Sequence, residues 1–334
     1  MLSKHPDEEK LDAQGRVVLP GLVDAHTHLV WAGDRAGEFE QRLEGKTYLE
    51  ILEAGGGILS TVRASREASL EQLIEESLPR ARRAFEYGST TIEAKTGYGL
   101  ELETELKLME ALLRLDGLGP WDLAFTFLAA HAVPPEFNGR TSAYTELVSQ
   151  QMLPKLKDWW ADKASGRDLP FVDVFCETGA FDLAQTREIL EAAQQLGFPL
   201  KVHADEFDNL GGAALAMELG AASADHLVAT SQEEIVQFGK SNTVAVALPG
   251  TPFGLALGDY TPAQAIIATD GILAVASDIN PGTAWGESLQ FAMALTCRQM
   301  KLTPAQAIAA TTINAAAAIG QAERIGSLEV GKQA

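Results

Sequence analysis

The sequence predicts an α/β protein built as a (β/α)8 TIM barrel, on three observations. Eight short, β-prone apolar runs recur along the chain. Longer charged stretches with helical patterning separate them, which is the signature of βα units and a parallel sheet. The chemically distinctive residues, several His and one Asp, fall at the carboxyl ends of those runs, where barrels of this type carry their chemistry.

In order, the strand candidates are 17–28, 90–95, 123–130, 171–177, 200–204, 222–227, 243–248 and 273–277. Helices are expected over 70–87, 102–115, 141–161, 182–196, 209–219 and 232–238, then over 286–300 and 303–319 after the eighth strand. Asp182 reads as the N-cap of its helix, which Gly197-Phe198-Pro199 stops. Thr303-Pro304 reads as an N-cap followed by proline at the first helical position. Gly55-Gly56-Gly57 lacks the Gly-Lys-Ser/Thr ending of a phosphate loop, so a mobile loop beside the barrel mouth is expected there. Three segments follow: a barrel over 20–320, flanked at 1–19 and 321–334 by remnants of a small β-sandwich. Within those flanks, 16–20 and 325–332 read as strand fragments whose apolar edges have lost their partners.

Composition narrows the function. The 334 residues carry a net charge of −20, which argues against nucleic acid or an anionic membrane surface as partner. It also means that an anionic substrate needs a local cation. Cys176 and Cys297 are too few for a disulfide framework or a cysteine-rich zinc site. The first ten residues lack the apolar core of a signal peptide, and no apolar stretch approaches the ~20 residues that span a bilayer. A cytoplasmic protein is expected.

The most telling motif is His26-Thr27-His28 at the end of the first run. Side chains alternate along a strand, so both imidazoles project from one face. A single strand His is more often a hydrogen-bonded core residue than a ligand. Two on one face are costly to bury without a shared partner. His203 in His-Ala-Asp-Glu and Asp278 in Ala-Ser-Asp-Ile-Asn-Pro-Gly end two later runs, and three His with one Asp suit a mononuclear catalytic metal. Glu206, just past His203, could relay a proton between an activated water and a substrate nitrogen; its bland alternative is a helix cap. His226 could be a further ligand or, preferably, a donor that polarises a carbonyl. His131 ends the third run at the same mouth. Tyr98 lies in the glycine-flanked turn after the second run. Arg35 is the natural cation for a substrate carboxylate, against the alternative of a solvated surface arginine.

These residues together resemble the amidohydrolase superfamily and, within it, the imidazolonepropionase family. The broad likeness rests on Gly21-Leu22-Val23-Asp24-Ala25-His26-Thr27-His28 and Ser277-Asp278-Ile279-Asn280-Pro281-Gly282-Thr283. Gly33-Asp34-Arg35 is a further mark, and the narrower likeness rests on Lys95-Thr96-Gly97-Tyr98-Gly99-Leu100, His203-Ala204-Asp205-Glu206-Phe207 and Pro249-Gly250-Thr251-Pro252-Phe253. The resemblance implies one Zn²⁺ or Fe³⁺ ion held by His26, His28, His203 and Asp278. It implies contacts from Arg35, Tyr98, His131, Glu206 and Thr283 to imidazolone propionate, and from Asn280 and Gly282 to product. Glu206, His226 and Asp278 are the expected catalytic set. The fourth run carries no lysine that could bridge two metals, in keeping with a single ion. The implied reaction is hydrolytic ring opening of 4-imidazolone-5-propanoate to N-formimino-L-glutamate in histidine degradation, by a homodimer. The alternatives are a nucleobase deaminase of the same superfamily and an inactive metal-binding fragment.

Overall fold

The computed structural model describes residues 12–46, Glu50 and residues 56–333. Eight strands form one sheet in sequential order: β1 (Leu22–Asp24), β2 (Ser89–Lys95), β3 (Asp122–Ala130), β4 (Phe171–Cys176), β5 (Lys201–Ala204), β6 (Ser223–His226), β7 (Val244–Ala247) and β8 (Leu273–Val275). Every neighbouring pair is parallel. Parallel strands need a crossover, and helices such as Leu70–Glu86, Leu102–Asp116 and Leu183–Gln195 supply it. The eight expected strands are all present.

The seam between β8 and β1 is closed just past the strand ends. Asp278 N–H donates to His26 O at 3.1 Å and His28 N–H to Ile279 O at 2.8 Å. The Asp24 carboxylate accepts from Ser277 N–H at 2.9 Å. The backbone that completes the barrel therefore belongs to the residues expected to carry its chemistry.

Local sequence explains most helix boundaries. Asp182 and Thr303 each form a reciprocal capping box, with Gln185 and Gln306. Two expected helices are interrupted. The one predicted over 141–161 runs on to Lys163 but carries a π-turn at Val148–Met152. The one predicted over 303–319 divides into Pro304–Ala310 and Ile313–Ala318. At that break the Thr311 and Thr312 hydroxyls bond back to Ala307 O and Ile308 O, and Thr311 O instead accepts from Val23 N–H of β1. Helices Ala36–Leu43 and Ile58–Glu67, beside the mouth, were not expected.

Gly55 and residues 1–11 lie outside the described residues; Gly57 caps the second of those helices at φ 70°. The strand fragments expected at 16–20 and 325–332 do not form. Strands require a ladder partner, and among the described residues neither segment has one. Val17 and Val330 are left fully or nearly fully exposed.

The outer helices pack very closely in places. A Cβ on Gly239, which ends helix Gln232–Phe238, would lie 1.6 Å from the Thr269 carbonyl oxygen. Gly239→Ala should cost about 1–3 kcal/mol through this overlap. An unchanged urea midpoint would contradict the packing described.

Candidate active site

The functional cluster is built from strand ends. His26 and His28 continue β1 as extended chain, held by the seam bonds on one side and by Lys95 N–H to Thr27 O, at 2.9 Å, on the other. Alternation then aims both imidazoles inward. His203 lies on β5. His226 ends β6 and would alternate away from Asp225, but its φ of 79° turns it back toward the cluster. Asp278, at φ 56°, makes a similar turn after β8. Left-handed backbone at non-glycine residues costs energy and concentrates at functional sites.

The geometry fits a metal ion. His203 Nε2 and His28 Nε2 are 3.4 Å apart. Asp278 Oδ1 lies 3.6 Å from both His26 Nε2 and His28 Nε2. Ligands ~2.0–2.1 Å from one ion stand about 3.3–3.4 Å apart in a tetrahedron. His26 Nε2 is buried with no hydrogen-bond partner among the described residues, so its lone pair is available to a ligand. Burial, reinforced by Lys95 and the neighbouring imidazoles, holds His26 well below the ordinary histidine pKa. Burial and the other imidazoles do the same for His28. Neutral imidazole is the form that binds metal.

A buried ionic network stands behind the ligands, and it was not anticipated. His26 Nδ1–H donates to Asp225 Oδ2 at 2.6 Å. Asp173 accepts from His203 N–H at 3.1 Å, and its Oδ2 lies 3.0 Å from His203 Nδ1, a close but angled approach. Each carboxylate calls for a proton on the δ nitrogen and so leaves the ε lone pair for the metal. Lys95 ties the carboxylates together, 2.9 Å from Asp173, 2.7 Å from Glu93 and 3.9 Å from Asp225. Lys201 approaches Asp225 at 3.5 Å from the other side. Burial alone would depress the Lys95 ammonium, but Asp173, Glu93 and Asp225 hold it above its usual value. The available signal was charge within the short strands: Glu93 and Lys95 on β2, Asp173 on β4, Lys201 two residues before His203 on β5, and Asp225 next to His226 on β6.

Around this centre lie the other predicted residues. Glu206 Oε2 is 3.6 Å from His226 Nε2, and burial, aided by Asp278 and Glu177, pushes its carboxyl well above the usual range. The following loop is gripped by Glu177, which accepts from Phe207 N–H at 2.9 Å and Asp208 N–H at 3.2 Å. His131 stacks on His28 with ring centres 4.7 Å apart, and Tyr98 is 5.4 Å from His131. Thr251 donates to Asp278 Oδ2 and lies 3.1 Å from Thr283 Oγ1. Asn280 donates to Asp278 O at 2.7 Å and accepts from Gly282 N–H and Thr283 N–H, each at 2.8 Å.

Arg35 is not the isolated cation that the sequence suggested. Glu38 Oε2 takes both its Nε and Nη2 at 2.9 Å. Its Nη1 packs against Gly282, where a Cβ would come within 2.5 Å. Helix Ala36–Leu43, absent from the sequence reading, supplies that glutamate one turn after Arg35. The guanidinium reaches the cluster through the 280–283 loop.

Comparison with known proteins places this geometry. An imidazolonepropionase of Chloroflexus aggregans is 50% identical over 327 residues, spanning 97% of this chain and 77% of the relative. One of Herpetosiphon aurantiacus is 48% identical over 333 residues, spanning 100% of this chain and 78% of the relative. The chain belongs to the imidazolonepropionase family. The Amidohydrolase family profile matches residues 258–334. An adenosine deaminase from Xanthomonas campestris, solved with bound zinc, shares the fold at a TM-score of 0.65 and 19% identity, over 95% of this chain and 70% of that one. Membership makes the chain a hydrolase acting on a cyclic amide and implies a metal ion, which the histidine cluster fits.

If the network sets the ligand geometry, Asp225→Asn should weaken zinc binding by about 10–100-fold, the usual effect of losing a ligand's hydrogen-bond partner. Chelator competition on the purified protein measures this. Undiminished affinity would contradict the role given to Asp225.

Proposed function

We propose that this protein opens the ring of 4-imidazolone-5-propanoate by hydrolysis, giving N-formimino-L-glutamate in histidine degradation. In this reading His26, His28, His203 and Asp278 hold one ion. Three imidazoles and one carboxylate form a borderline donor set that suits zinc or iron. When bound, the metal supplies Lewis-acid activation of water and of the ring carbonyl.

The observation that carries the reading is Glu206, whose Oε2 lies 3.6 Å from His226 Nε2 beside a metal-competent cluster and whose carboxyl burial pushes above the usual range. Glu206 takes a proton from the attacking water and delivers it to the departing ring nitrogen. Asp278 is the alternative first acceptor, with Thr251 fixing its Oδ2. The two imidazoles near the carbonyl divide their work. His131 Nδ1–H is committed to Gly97 O at 3.0 Å, and burial pushes its pKa down to about 3, so its Nε2 accepts from substrate. That leaves His226 to donate to the developing oxyanion.

Substrate binding follows from the mouth. The Nη1–Nη2 end of Arg35, with Nη1 against Gly282, meets the propionate carboxylate, while Glu38 braces the adjacent Nε–Nη2 edge. Tyr98 and His131 line the ring, and Asn280, Gly282 and Thr283 contact product. Deamination of a nucleobase is not favoured, because nucleobases lack the carboxylate that Arg35 would bind and the relatives at 48% and 50% identity are imidazolonepropionases.

Assay against imidazolone propionate and a panel of nucleobases tests the reading; turnover of nucleobases alone would overturn it. Glu206→Gln should keep its metal and lose at least ~10²-fold in kcat. Arg35→Ala should lower kcat/KM by the equivalent of about 2–5 kcal/mol with metal content unchanged. Normal turnover by either variant would remove that residue from its assigned role.

A further inference from the structure

The turn that carries Tyr98 is held by a residue outside the site. Glu105 sits in the first turn of helix Leu102–Asp116 and is fully buried. Its carboxylate accepts three backbone N–H groups of the turn: Gly97 at 3.0 Å, Gly99 at 2.7 Å and Leu100 at 2.8 Å. One anion thus brackets Tyr98 on both sides. Charge-assisted bonds of this kind are stronger than neutral ones.

The bracket acts on a turn that would not hold this shape alone. Leu100 has φ +54°, which a bulky side chain rarely adopts. Gly97 has φ +112°, and a Cβ there would meet His131 Nδ1 at 2.9 Å and Leu128 O at 3.0 Å. On the far side Tyr144 Oη lies 3.0 Å from Leu100 O and 2.9 Å from Ala129 O, tying the turn to the end of β3. Gly97 O in turn receives His131 Nδ1–H. Glu105 therefore holds the backbone on either side of Tyr98, and through Gly97 it is one hydrogen bond removed from His131 Nδ1.

We propose that Glu105 is a positioning residue for substrate binding, setting the Tyr98–His131 wall without touching substrate or metal. The inference rests on reading Tyr98 as a substrate contact. Glutamine keeps one acceptor oxygen but turns an N–H₂ toward backbone donors, so Glu105→Gln breaks the bracket with little change in volume.

Two readouts on the metal-loaded enzyme separate the inference from its premise. Hydrogen exchange at the amides of 97–100 should quicken by about tenfold or more in Glu105→Gln, as local opening loses its restraint. KM for imidazolone propionate should rise by about tenfold or more, with kcat and metal content within about twofold. In the Glu105→Gln/Tyr98→Phe double variant the two KM effects should be clearly less than additive. Unchanged exchange, or additive KM effects, would overturn the proposal. If the wild-type enzyme does not process imidazolone propionate, the functional reading fails and exchange alone decides the bracket. Should Glu105→Gln not fold, Tyr144→Phe loosens the same turn from its other side and should raise exchange and KM together; a wild-type profile there would overturn the proposal.

Discussion

Everything at the mouth of this barrel depends on one buried ammonium. Lys95 brings Glu93 and Asp173 within hydrogen-bond distance and Asp225 within ion-pair distance, in a space closed to solvent. Three acidic side chains so close together would repel one another. Lys95 among them, with Lys201 beside Asp225, supplies the opposing charge that holds them in place. Two of them then orient His26 and His203. Burying ions rarely improves stability over packed apolar side chains. Here the return is geometric, since two imidazoles present their ε nitrogens toward a common point before any ion arrives.

The second constraint is closure of the barrel. Backbone bonds of His26, His28 and Asp278 make the β1–β8 seam, so three of the four proposed ligands are fixed by the same contacts that complete the fold. Around them, buried carboxylates recur as anchors for loops. Glu177 holds the backbone after Glu206, Glu105 the turn around Tyr98, and Glu38 both Arg35 and Gly57 N–H. Glu206 and Tyr98 stand in loops, and each of those loops is tied by one of these acids.

Much of this was legible in the sequence. Strand periodicity gave the eight strands, and alternation put His26 and His28 on one face. What escaped was anything whose meaning depends on neighbours across the barrel. Lys95 and Glu93 read as ordinary charges on a strand until β4 and β6 bring Asp173 and Asp225 against them. His226 should face away from Asp225 by alternation, and only its left-handed backbone returns it to the cluster. Arg35 looked like a lone cation because nothing in its local pattern announced the helix bearing Glu38. The split at Thr311-Thr312 was likewise invisible, since the hydroxyls compete with the helix only where β1 offers a partner for the released carbonyl. The flanking segments, read as strand fragments, have no ladder partner among the described residues.

The account centres on one ion held by three imidazoles and one carboxylate. X-ray absorption at the edge of the bound metal tests that directly in the purified protein. It should give one metal per chain with only nitrogen and oxygen neighbours at about 2.0–2.2 Å and the outer-sphere scattering of three imidazoles. A sulfur neighbour, a second metal within about 4 Å, or fewer than three imidazoles would contradict it.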